Sequence, residues 1–341
     1  MTMFRSSRAI VVAALAVMLT AVALPGWAQP YPSRPVQLVV GYAQGGTGDF
    51  VARLLAEKLT AVLGQPVNVE NRPGASGTSA AQSVARAAPD GYTLLVGQPG
   101  EVSISPMLMK DVGYDAARDL QPVALAALSP LALVVQSTAP YSTISEMTAA
   151  SLSSPRGLSF GSPGPGTPGH VAVELLRART KSRLNHVPFE GGGPAVDALM
   201  AGRVDMYFAV LPTAMPDVTA GKLKILGVSS AKRSLAVPNV PTVMEQTGIR
   251  GFDITNWVGV FAPRGTPADV VQRLNRDINQ VLSQPDVLER LVRHGAEVAP
   301  MSVDQFAELL RSETGKYGSL LSDEFCAKFL YGGCTGFVAL P

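Results

Sequence analysis

Three histidines and two cysteines are all that this 341-residue chain carries of the side chains that most often ligate metals or act in nucleophile–base pairs. Neither set is clustered. Cys326 and Cys334 stand near the C-terminus with no second thiol pair, which argues against a structural zinc site. In an oxidising compartment a disulfide between them remains an open alternative. His170, His186 and His294 are scattered, and Gly161-Ser162-Pro163-Gly164 lacks the Gly-x-Ser-x-Gly nucleophile elbow. No nucleophile, base and orienting group fall into one motif, so an enzyme reading has nothing to rest on. Charge is scarce as well, at 16% of residues, with 28 Lys and Arg against 26 Asp and Glu. Arg5 and Arg8 supply that whole excess, and the rest of the chain is balanced. Such a protein has no basic field to hold nucleic acid or an anionic membrane. With 47% hydrophobic residues it is not a disordered polymer either.

A long apolar run occurs once. Ala9 to Leu24 is broken only by Thr20, follows Arg5 and Arg8, and ends at Pro25-Gly26-Trp27-Ala28. A basic start, a short apolar core and small residues before a cut are the parts of a secretory signal peptide. We expect residues 1–28 to be removed after Ala28, leaving an exported, soluble protein that begins at Gln29. The run is shorter than the roughly 20 residues that span a bilayer.

Beyond it, strand and helix patterns alternate. Val36–Gly41, Val67–Glu70 and Tyr92–Gly97 read as strands, with helices from Phe50 to Leu63 and from Ser76 to Ala87 between them. The grammar then repeats. Strands are expected at 131–136, 158–160, 185–189, 205–210, 224–229 and 257–262, and helices at 171–179, 195–201 and 268–282. This alternation marks an α/β fold built on mostly parallel sheets flanked by helices.

Three glycine-rich loops follow strands. In Gly41-Tyr42-Ala43-Gln44-Gly45-Gly46-Thr47-Gly48-Asp49, converging amides and a helix N-terminus would hold a carboxylate, phosphate or polar carbonyl without any cation. The same residues also suit a plain turn capped by Asp49. The second loop, Gly161 to His170, contains Gly164, Gly166 and Gly169 in the dinucleotide spacing, with Glu190 about twenty residues on. An NAD-dependent oxidoreductase is therefore an alternative, opposed by Pro165 and Pro168, which remove amides from the loop, and by the export signal. The third is Phe189-Glu190-Gly191-Gly192-Gly193-Pro194. Strand C-terminal ends are where open α/β sheets bind ligands, so the three loops point to one cleft.

The ordered motifs resemble the Bug family of periplasmic solute receptors, the binding proteins of tripartite tricarboxylate transporters. They include Tyr31-Pro32-Ser33-Arg34-Pro35-Val36, Gly45-Gly46-Thr47-Gly48-Asp49, Glu70-Asn71-Arg72-Pro73-Gly74 and Pro89-Asp90-Gly91-Tyr92. Gly161-Ser162 with His170, Gly202-Arg203-Val204-Asp205 and Pro263-Arg264-Gly265-Thr266-Pro267 continue the series. The resemblance implies a two-lobed receptor without catalysis or cofactor, working as a monomer with integral-membrane permease subunits. A receptor feeding a signalling ectodomain shares the same fold and site. It also implies lobe one from 29–128 plus 255–318, lobe two from 129–254, and ligand held by backbone amides of the first two loops. The expected contacts are Tyr42, Ala43, Gly45, Gly46, Thr47 and Asp49 from one lobe. Ser162, Gly164, Gly166, Thr167, His170, Gly192 and Asp205 come from the other, with a structural role for His170 and Asp205 kept beside the contact role. Organic acids, amino acids and nicotinamide-like amides all remain open. The family usually has Pro-Phe in place of Gly41-Tyr42 and often a lysine in place of Glu190, and the 319–341 tail does not match its usual ending.

Overall fold

Val36 to Val40 forms β1, paired in parallel with β2 (Val67–Asn71) on one side and β3 (Thr93–Gly97) on the other. This computed structural model describes residues 31–321 apart from 110 and 299, and the chain from residue 34 onward makes up a single unit. The expected signal peptide with its cleavage point, the two cysteines and nearly all of the 319–341 tail lie outside the described residues.

The link between the two halves is β4 (Leu120–Gln136), a 17-residue strand. Its first part, Leu120 to Pro130, runs antiparallel to β9 (Thr255–Pro263), which is itself antiparallel to β3. From Leu131 onward β4 changes partners, pairing antiparallel with β7 (Met206–Val210) and β8 (Leu223–Val228). Beyond β7 come β5 (Leu158–Ser162) and β6 (Leu184–Pro188), all three parallel. Each lobe thus combines three parallel strands with antiparallel pairs contributed by the strands that connect the lobes. The sequence reading recovered only 131–136 of β4, because Pro122 and Pro130 look like strand breakers. In the structure the register shifts between Pro122 and Ala124, the kind of irregularity where a strand tolerates a residue without an amide proton.

Alternation along β4 buries both faces. Leu131, Leu133 and Val135 join a core with Phe160, Met206 and Phe208, while Ala132 and Val134 meet Ala195, Leu199 and Tyr207 on the other side. A strand covered on two faces reads as an unbroken apolar run. In the first lobe Trp257, Phe261 and Phe306 close the core under β9.

Four helices then start where strands end: α1 (Thr47–Leu63) after β1, α2 (Pro168–Thr180) after β5, α3 (Gly192–Met200) after β6 and α4 (Leu211–Thr219) after β7. After β3 the chain makes a π-helical turn, Gly100–Ile104. These strand-to-helix junctions carry the site.

Candidate functional site

Residues from both lobes line a cavity at the strand-to-helix junctions. Its walls are the starts of the four helices: Gly46 and Thr47 at α1, Pro168 and Gly169 at α2, Gly192 at α3, and Val210 and Thr213 at α4. None of these helices has a side-chain cap on its first turn. An uncapped N-terminus leaves amide protons unsatisfied and carries a fraction of a positive charge. The remaining wall is mostly polar or aromatic, with Tyr42, Gln98, Tyr207 and Asn256 among its members and, among the described residues, no Lys or Arg. Asn256 holds Gln98 by donating Nδ2 to Oε1. The Tyr207 side chain is buried, and its hydroxyl lies next to Gly192 with no hydrogen-bond partner among the described residues; burial holds its pKa well above the usual phenol value.

The first loop does not simply offer its amides to this space. Ala43 N donates across the cleft to the Glu190 carbonyl at 3.0 Å. Gly45 N donates to Asp49 Oδ2 at 3.1 Å, and Arg53 Nε donates to Oδ1 of the same carboxylate. Asp49 is the third residue of α1 rather than its cap, because Gly46 occupies the cap position. Thr47 Oγ1 meets Thr213 Oγ1 at 2.8 Å from the opposite lobe. Tyr42 is buried, with its hydroxyl 2.8 Å from Glu101 Oε2 and 2.9 Å from the Ser76 carbonyl. Burial pushes the Glu101 carboxyl up to about 7. When protonated it donates to the phenol oxygen, which in turn donates to Ser76.

The second loop is braced from behind. Ser162 Oγ lies 2.5 Å from His186 Nε2 and accepts from Gly164 N at 3.0 Å. Gly166 N donates to His170 Nδ1 at 3.2 Å, and the two imidazoles stack with centroids 4.3 Å apart. Burial, then charge from neighbouring groups including Arg177, lowers His170 to about 3 and His186 to about 4, so both are neutral. With Nδ1 accepting, the proton of His170 sits on Nε2. Asp205 is absent from the cavity wall; its carboxylate accepts from Ser159 N and Oγ on β5. The structure therefore brings Tyr42, Gly46, Thr47, Thr167 and Gly192 together around the cavity. Ala43, Gly45, Asp49, Ser162, Gly164, Gly166 and His170 hold the loops in place. Gln98, Tyr207, Thr213 and Asn256 escaped the sequence reading because they sit at strand or helix ends with no motif of their own.

The glycines of the dinucleotide spacing serve the protein itself. A Cβ at Gly169 would fall 2.5 Å from the Phe208 carbonyl, and one at Gly164 would fall 2.4 Å from Ser76 Oγ. The first contact lets α2 pack on β7, and the second lets the lobes meet.

Comparisons with known proteins agree with this geometry. The sequence profile of the tripartite tricarboxylate transporter family receptors matches residues 51–324. A UPF0065 protein from the tcbD-tcbE intergenic region of Pseudomonas sp. (strain P51) is 40% identical over 291 residues, 85% of this chain and 86% of the relative. The structure of MatC from Rhodopseudomonas palustris with bound malate is 36% identical, with a TM-score of 0.81, covering 86% of this chain and all of that one. A second R. palustris protein, Rpa4515 with adipate, is 33% identical with a TM-score of 0.82, over 85% of this chain and 97% of that one. A family of binding receptors sets aside the oxidoreductase alternative. With the family profile spanning most of its length and its fold shared with solved receptors, the chain belongs to the periplasmic receptors of tripartite tricarboxylate transporters.

Proposed function

We propose that this receptor captures a carboxylate-bearing solute in the cavity at the four helix starts and presents the closed complex to the integral-membrane permease subunits of its transporter. A signal peptide directs export and is cleaved after Ala28, and the mature protein acts as a monomer. The lobes are 29–128 with 255–318, and 129–254, hinged where β4 changes partners and where the chain returns into β9.

The observation that carries this reading is the convergence of four uncapped helix N-termini on one cavity that has no cationic side chain among the described residues. Such an arrangement selects an anion by backbone dipoles, and carboxylate is the anion bound in the malate and adipate complexes of its relatives. Thr47 and Thr213, Tyr207 and Gln98 add side-chain donors in this reading. Native mass spectrometry of residues 29–341, purified from a periplasmic extract without refolding, tests it. A small acid that leaves on denaturation supports it. A bare protein whose melting temperature no organic acid raises would overturn it.

A further inference from the structure

A second cavity, open to solvent on one side, lies between the lobes and shares two wall residues, Tyr42 and Pro163, with the first. Its character differs. Its wall is more apolar, with Met109, Pro163, Pro165, Pro188, Phe189 and Ala75, although it also meets the start of the helix Thr78–Ala85 through Gly77. Among the described residues Glu190 is its only charged lining side chain. Glu101 stands directly behind it, with its carboxyl carbon 3.0 Å from where a Cβ on Gly77 would be. The arginine on the approaching loop, Arg72, is occupied by Glu70 through both Nε and Nη2.

Resting on the carboxylate reading above, we propose that this second cavity houses the body of the ligand, and that it selects monocarboxylates with an uncharged, apolar or aromatic body over dicarboxylates of equal length. The head sits at the helix starts, and the body runs along the Tyr42 ring. That ring is a fixed wall, because its hydroxyl is tied to Glu101 and to the Ser76 carbonyl. Desolvating a second carboxylate among prolines and Phe189, with Glu190 at the wall and Glu101 behind, is unfavourable without a compensating cation. An alkyl or phenyl group gains from the same surfaces. Ser76 is 8% exposed and its hydroxyl has no partner among the described residues, so a single neutral polar substituent on the body is also accommodated.

Matched probes test this by titration calorimetry on the mature protein: hexanoate against adipate, 4-methylbenzoate against terephthalate, and propionate as a short reference. We expect each monocarboxylate to bind about tenfold or more tighter than its dicarboxylate partner, and hexanoate to bind about tenfold tighter than propionate. Phe189→Ala should cost hexanoate at least about fivefold more affinity than it costs propionate. Glu190→Lys should raise adipate affinity about tenfold by placing a cation at the wall. Adipate or terephthalate binding as tightly as its partner overturns the selectivity, and loss of that binding in Lys110→Ala would assign the cause to a lysine outside the described residues. Failure of every probe, and of malate, overturns the carboxylate reading itself.

Discussion

Across the cleft the Ala43 amide donates to the Glu190 carbonyl at 3.0 Å, so a backbone group of one lobe is satisfied by the backbone of the other. The Thr47–Thr213 hydroxyl pair repeats the pattern at 2.8 Å. A Cβ on Gly193 would come within 2.6 Å of the Gln44 carbonyl. The lobes meet through glycine loops that would be pushed apart by ordinary side chains. This is a closed arrangement, and it explains why glycines gather here without touching a phosphate.

Thr213→Val removes one of these bridges and one cavity donor while keeping the side-chain shape. A net hydrogen bond is worth about 1 kcal/mol, so affinity for the captured acid should fall about fivefold, mainly as faster release. Stopped-flow dissociation compared with the melting temperature of the empty protein separates this from a folding defect.

Gly164→Ala should block closure. Its φ of +127° disfavours any side chain, and the new Cβ would meet Ser76 Oγ at 2.4 Å. We expect an affinity loss of about tenfold or more. Adding Ser76→Gly should recover the part due to the collision between lobes and leave the part due to backbone strain. Equal affinity in the single and double variants would show that the collision contributes nothing.

Tyr207→Phe deletes the unpartnered hydroxyl beside Gly192. Its loss should weaken binding by about 1 to 2 kcal/mol, read by calorimetry. Stability should not fall, since the hydroxyl has no hydrogen bond within the described protein to lose.

Glu101 sets a pH dependence of stability. Below its ordinary value of 4.5 the carboxyl is protonated in folded and unfolded chains alike. As pH rises from 4.5 to about 7 the unfolded chain ionises while the buried group does not. This contribution to stability is therefore lost as pH rises through about 7, by at most on the order of 3 kcal/mol. Glu101→Gln should flatten the decline, with its carbonyl facing Gln98 N and its amide facing the Tyr42 oxygen. Glu174, raised likewise to about 7 by burial, adds to the loss. His170 and His186, held neutral by burial, add stability as pH rises toward 6.5 and the unfolded imidazoles deprotonate. The Glu101 part is therefore the difference between the wild type and Glu101→Gln. Urea midpoints at pH 5 and pH 8 report both.

His186 acts on the second loop through Ser162. His186→Gln keeps an amide donor near the position of Nε2, whereas His186→Met does not. Binding should be about tenfold weaker in the methionine variant and largely rescued in the glutamine variant. Equal losses in both would reduce His186 to a space-filling role.

Much of the architecture was legible from local pattern. The apolar runs at 36–40 and 93–97 and the helical spacing after Phe50 needed no tertiary information, because period and turn residues are properties of short segments. The 120–130 stretch of β4 was not legible, since Pro122 and Pro130 argue against a strand until β9 is present to pair around them. The proline-containing helix at 211–219 was missed for a similar reason. At the site, glycine runs revealed three loops but not the fourth helix start, where Val210 to Thr213 carries no glycine at all.

The export signal as an expectation, the α/β class, the absence of a catalytic motif and the glycine loops that mark the family could all be read along the chain. Composition, periodicity and ordered motifs are linear properties, so no folding is needed to see them. Which amides face the cavity and which are spent on the opposite lobe is settled in three dimensions alone. Ala43 and Glu190 are 147 positions apart, as the numbering of the chain shows, and nothing local to either specifies that they share a hydrogen bond. That pairing arises when two sheets, linked through β4 and β9, bring their strand ends face to face.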